Sequence, residues 1–105
     1  MSGEKIGDNL AYLKEQHGEI YEAYETYGRL VHEQGGPLDE KTRWLVKVAV
    51  TTAGAQPLAL KTHIRKALAN GCTREEIEHA ILLTAPSAGF PTMMEGLLIL
   101  RELSA

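Results

Sequence analysis

Residues 39–54 read Asp-Glu-Lys-Thr-Arg-Trp-Leu-Val-Lys-Val-Ala-Val-Thr-Thr-Ala-Gly, and whether they form a helix or a strand decides the fold class. Val46, Val48, Val50, Thr51 and Thr52 are β-branched, so the run can be read as a buried strand. Three features favour a helix. The length from Asp39 to Ala53 suits a helix better, Asp39 is a good N-cap with Glu40 favourable in the first turn, and Gly54 ends the segment. The near-continuous apolar content through Trp44, Leu45, Val48 and Ala49 predicts burial on more than one side.

Upstream, Gly35, Gly36 and Pro37 neither continue a helix nor start a central strand, so a loop belongs there. Between Ile6 and Gln34, the residues Leu10, Leu13, Ile20, Tyr24, Tyr27, Leu30 and Val31 recur at helical spacing among charged neighbours. Gly18 is expected to divide this stretch into two helices. Downstream, Pro57 suits the first turn of a helix that lines Leu60, Ile64, Ala67 and Leu68 on one face and stops at Asn70 and Gly71. Thr73 and Glu76 form a capping box, with Cys72 placed to staple onto Ile77, and predict a helix from Arg74 to about Ala85. Gly89, Phe90 and Pro91 make the last break. Pro91 opens a final helix whose apolar positions are Met94, Leu97, Leu98 and Leu100. The chain reads as all-α, about six helices joined by short turns.

The 105 residues suit a single domain spanning 1–105. A body this small leaves much of its surface exposed, so burial against a partner would help it, and a homo-oligomer is expected. The net charge of −3, with acids and bases interspersed, excludes a basic stripe for phosphates, and with it nucleic acid as a partner. Cys72 is the single cysteine, which excludes an internal disulfide and fits a reducing compartment. Met1 to Asp8 is polar, and no apolar run approaches a membrane span, so the expected location is the cytoplasm and no membrane partner is expected.

Four stretches then acquire meaning together: Leu38-Asp39-Glu40-Lys41-Thr42-Arg43, His63-Ile64-Arg65-Lys66-Ala67-Leu68-Ala69-Asn70-Gly71, Thr73-Arg74-Glu75-Glu76-Ile77 and Ala88-Gly89-Phe90-Pro91. In this order and spacing, the region from Leu38 to Leu103 resembles the carboxymuconolactone decarboxylase and alkylhydroperoxidase D-like family. The resemblance implies an all-α fold whose protomers assemble as homo-oligomers, trimers or hexamers. The redox branch of that family carries a glutamate, then Cys-x-x-Cys at a helix start, then a histidine one turn later. Here the cysteine positions hold Gln56 and Ala59, the glutamate position holds Trp44, and only His63 remains. An amide and a methyl group cannot exchange electrons with a peroxide, so dithiol peroxidase chemistry is not expected.

The decarboxylase branch resembles the chain better, since it too lacks the thiol pair and keeps a histidine at the His63 position. It implies lyase-like, acid–base chemistry on a small carboxylated or lactone-type molecule, which needs a cation for the carboxylate and a proton donor for the developing carbanion. His63 is the candidate catalytic residue, in a pocket bordered by Trp44, Gln56, Ala59 and Phe90, and no cofactor is implied. Two positions depart from that branch: His79 stands where an acid is common, and Ser87 where an aromatic residue is. The alternatives are a catalytically inactive, oligomeric ligand-binding or scaffold protein, or a degenerate alkylhydroperoxidase-like member that would use Cys72 with an external thiol.

The same residues have plainer readings. His63 on an apolar face can be a hydrogen-bonded structural histidine. His79 can pair with Glu75 one turn earlier, and His17 and His32 are expected to be solvated. No two histidines have ligand spacing on one helix, so no metal site is expected. Cys72 precedes a helix N-terminus, where a thiol can be activated, but the staple already accounts for it. Tyr21, Tyr24 and Tyr27 form a stripe expected to be an interface. Met93 and Met94 are expected to pack against neighbouring helices.

Overall fold

The computed structural model describes residues 2–104, with side chains described for 5 and 7–103, which leaves the Ile6 side chain outside. Every regular element among them is helical. The order is α1 (Ser2–Gln16), α2 (Gly18–Gln34), α3 (Glu40–Ala53), α4 (Pro57–Ala69), α5 (Arg74–Leu82), α6 (Ala85–Ala88) and α7 (Phe90–Ser104). Two compact units result, Met1–Leu38 and Asp39–Ala105.

The first unit is the pair α1 and α2, which pack on each other and are separated at His17, one residue before Gly18. No residue of α2 is buried. Ile20, Tyr24, Tyr27, Leu30 and Val31 are all exposed, with Tyr24 at 68% and Tyr27 at 66%. His32, expected in solvent, is half-buried.

The second unit holds the core: Val48 of α3, Leu60, Ile64 and Ala67 of α4, Cys72, Ile77, Ala80 and Ile81 around α5, and Met93, Ile99 and Leu100 of α7. α3 packs on α4, α5 and α7. Its start follows the cap expected of it, because the Asp39 side chain accepts a hydrogen bond from the Thr42 backbone N–H at 2.8 Å. The β-branched run is compatible with a helix because the hydroxyls of Thr51 and Thr52 donate back to helix carbonyls, at 2.8 Å to Lys47 and 2.8 Å to Val48. Burial of α3 is one-sided, however. Val48, Thr51 and Thr52 face the core, while Val46 and Val50 are exposed.

α3 and α4 end in the same way. In each, the N–H two residues past the cap returns to a carbonyl of the last turn: Gln56 to Thr51 at 3.0 Å, and Cys72 to Ala67 at 3.0 Å. The left-handed residue in this motif is Gly71 (φ 95°) after α4, but Ala55 (φ 54°) after α3, with Gly54 at the cap position just before it. α5 begins with the complete capping box: Thr73 N–H donates to Glu76 Oε1 at 2.8 Å, and Glu76 N–H to Thr73 Oγ1 at 3.1 Å.

Three further expectations are corrected. α5 stops at Leu82 and not near Ala85, because Pro86 has no N–H to give to the Leu82 carbonyl; a separate four-residue turn, α6, follows. Leu68, expected on the inner face of α4, is exposed. On α7 the inward residues are Met93, Gly96, Ile99 and Leu100 with half-buried Leu97, whereas Met94 and Leu98 point outward. Gly96 explains the shift: a Cβ there would lie 2.6 Å from Thr52 Cγ2, so the small residue is what lets α7 press against α3.

Candidate functional site

His63 stands on α4, half-buried, with its Nδ1 3.3 Å from the Lys47 carbonyl oxygen of α3. A carbonyl oxygen only accepts, so this contact assigns the ring hydrogen to Nδ1 and leaves the Nε2 lone pair available. The indole of Trp44 lies beside it, ring centroids 6.0 Å apart and planes tilted by 54°. Lys47 completes the cluster, its Nζ 4.9 Å from the centroid of the Trp44 ring. α3 places Trp44 and Lys47 one turn apart, and α4 delivers His63 from sixteen residues further along the chain.

The electrostatics favour a neutral imidazole. Burial pushes His63 below the ordinary histidine range, the nearby Lys47 charge acts the same way, and the hydrogen bond to the Lys47 carbonyl opposes them. Lys47 is itself held below the usual lysine range, by burial first and then by the positive charges of Lys66 and Arg43. A neutral imidazole with one free nitrogen beside an ammonium group can move a proton and hold an anion. Lys47 was not singled out in the sequence, where its place on the face of α3 towards α4 carries no local signature.

The other expected border residues are placed as follows. Gln56 is the residue before α4, exposed, and Ala59 is half-buried one turn before His63. Phe90 opens α7 and is 63% exposed. Trp44 and His63 are thus in ring contact, and Gln56 and Ala59 extend towards the start of the His63 helix.

Cys72 is buried, and its Sγ approaches the Lys41 carbonyl oxygen at 3.5 Å. Burial, with Glu76 nearby, pushes the thiol up, which is the direction of an inert thiol. His79, expected to pair with Glu75, is exposed on the rim of a groove of about 310 Å³ between α3 and α5, lined mainly by Leu45, Val46, Ala49, Ala80 and Leu83. The ion pairs at α5 are Lys41–Glu76 at 2.7 Å and Arg74–Glu78 at 3.0 Å. Among the described residues, no helix is long and apolar enough to cross a membrane.

The helical arrangement has counterparts in known proteins. The family model described as carboxymuconolactone decarboxylase family matches residues 18–102. The chain belongs to that family. A crystal structure of another carboxymuconolactone decarboxylase family protein, from Legionella pneumophila, superposes with a TM-score of 0.85 at 24% identity, covering 97% of this chain and 93% of that one. A carboxymuconolactone decarboxylase candidate from Burkholderia xenovorans LB400 gives 0.76 at 22% identity, over 91% and 77% of the two chains. At these identities the likeness speaks for the fold. An uncharacterized 15.0 kDa protein of the nqo9–nqo10 intergenic region of Paracoccus denitrificans is 35% identical over 82 residues, which is 75% of this chain. The match spans 59% of the length of that relative. Within the carboxymuconolactone decarboxylase family, then, this member presents an indole and an ammonium group around its histidine.

Proposed function

We propose that this family member catalyses acid–base chemistry of the decarboxylase kind on a small carboxylated or lactone-type molecule, with His63 as the group that moves the proton. The observation carrying this reading is the contact of His63 Nδ1 with the Lys47 carbonyl, which fixes the ring and leaves Nε2 as the reactive nitrogen. In such a reaction the bond from carbon to carboxylate breaks, carbon dioxide departs, and the electron pair left on carbon takes up a proton. Nε2 takes that proton up from solvent on its lone pair and hands it to the carbon, which restores the neutral ring. In this reading Trp44, in ring contact with His63, walls the site, and Gln56, Ala59 and Phe90 are the further residues proposed to border it. Partial burial around the imidazole limits competition from water.

His63→Ala is expected to abolish turnover of a lactone or carboxylated substrate found by screening, while leaving the helical fold intact. Unchanged turnover would remove His63 from the mechanism. Ligand binding by the wild type with no turnover of any such compound would favour a binding protein.

The assembly that goes with this function is a homo-oligomer, a trimer or hexamer, with the exposed Tyr24 and Tyr27 face of α2 as a contact surface. Sedimentation should give a multiple of the 11.5 kDa protomer, lowered by Tyr27→Glu. A monomer at high concentration would contradict it.

A further inference from the structure

The helices that build the site are far more basic than the chain. α3 and α4 carry Lys41, Arg43, Lys47, Lys61, Arg65 and Lys66 against one acid, Glu40, in a protein whose net charge is −3. Lys41 is compensated by Glu76. Lys47 is different. Beside burial, the cations Lys66 and Arg43 push it down, and its ammonium group stands over the Trp44 ring next to His63.

An ammonium group partly out of water and surrounded by like charge is stabilised by any anion that reaches it. A carboxylate suits it, because charge-assisted hydrogen bonds to Lys are short and strong. The indole adds a second criterion, since flat π-systems stack on it better than puckered rings.

We propose that Lys47 and Trp44 select the ligand of the His63 site, Lys47 receiving the carboxylate of a planar, conjugated acid whose flat body lies against the indole. This rests on the reading of the His63 cluster as a ligand site, and it narrows the ligand from any carboxylated molecule to an unsaturated one. Lys47 and Trp44 bind and orient; His63 remains the proton carrier.

Trp44 is the only tryptophan, so its fluorescence reports the site directly. The whole protein would be titrated with benzoate, benzamide, cyclohexanecarboxylate and inorganic phosphate. Benzoate should quench saturably and bind about tenfold tighter than either benzamide or cyclohexanecarboxylate, the size expected for one charge-assisted contact or one stacking contact. Lys47→Gln should bring benzoate down to the level of benzamide, while Lys61→Gln, which removes a like charge from α4 instead of α3, should not. His63→Ala should keep the preference for benzoate, so loss of turnover in that variant and loss of selectivity in Lys47→Gln are separate results. Absence of benzoate binding, equal binding of acid and amide, phosphate binding as tight as benzoate, or an unaltered Lys47→Gln would each overturn the proposal.

Discussion

A Cβ placed on Gly96 of α7 would come within 2.6 Å of the Thr52 methyl on α3, and within 3.2 Å of Ile81 Cγ2. Thr52 and Ile81 are both buried and cannot swing away. The approach of α7 to α3 therefore depends on a hydrogen atom in place of a side chain. Gly96→Ala gains helix propensity but overpacks this crossing, and should destabilise by about 1–3 kcal/mol. Denaturant unfolding checks this: a lower midpoint with an unchanged slope is expected, and a midpoint equal to or above the wild type would contradict the packing.

Ala55 holds the left-handed position that Gly71 holds after α4. An L-residue there costs roughly 1–2 kcal/mol relative to glycine. Ala55→Gly should stabilise the fold by about 1 kcal/mol, read as a rise in thermal midpoint. A fall would show that the α3–α4 turn is held by something other than this backbone motif.

Thr73 donates no carbon to the core but satisfies the first turn of α5 through its hydroxyl. Thr73→Ala should cost about 1 kcal/mol, and Thr73→Ser much less. Equal losses for the two variants would point to packing and not to capping.

Cys72 combines burial with a thiol pushed upward. Alkylation by iodoacetamide at neutral pH should be slower than that of a free cysteine and should accelerate on unfolding. Fast labelling of the folded protein would revive a reactive role for this thiol.

The parts of the fold that could be read from sequence are those written locally. The Asp39 cap, the Thr73–Glu76 box, Pro57 and the Gly71 stop each act within one turn, so residue type and spacing suffice to place them. The helix at 39–54 is legible despite its β-branched residues, because threonine hydroxyls can return to the helix backbone. What failed was set by packing. The inner face of α7 differs from its apolar pattern because Gly96, the residue that lets α7 approach α3, carries no apolar side chain to count. The two-sided burial expected of α3 failed because apolar content does not say which faces find partners. Pro86 ends α5 through its missing N–H, a local signal that the reading of one helix from Arg74 to about Ala85 leaves out. At the site, His63 and Trp44 were legible through family resemblance, whereas Lys47 joins them only once α3 and α4 pack.

The neutral imidazole with its hydrogen on Nδ1 is the condition on which the proposed chemistry stands. Because the folded protein holds His63 below its ordinary value, the unfolded chain binds more protons between the two values, and stability from this group is complete above about pH 6.5 and lost as pH falls through that window. The most direct test is an NMR titration of the His63 ring with long-range proton–nitrogen correlation, which reads the titration midpoint and the tautomer together. A midpoint below the usual histidine range with hydrogen on Nδ1 is the predicted result. A midpoint at or above that range, or hydrogen on Nε2 in the neutral form, would contradict the assigned geometry and the role given to Nε2.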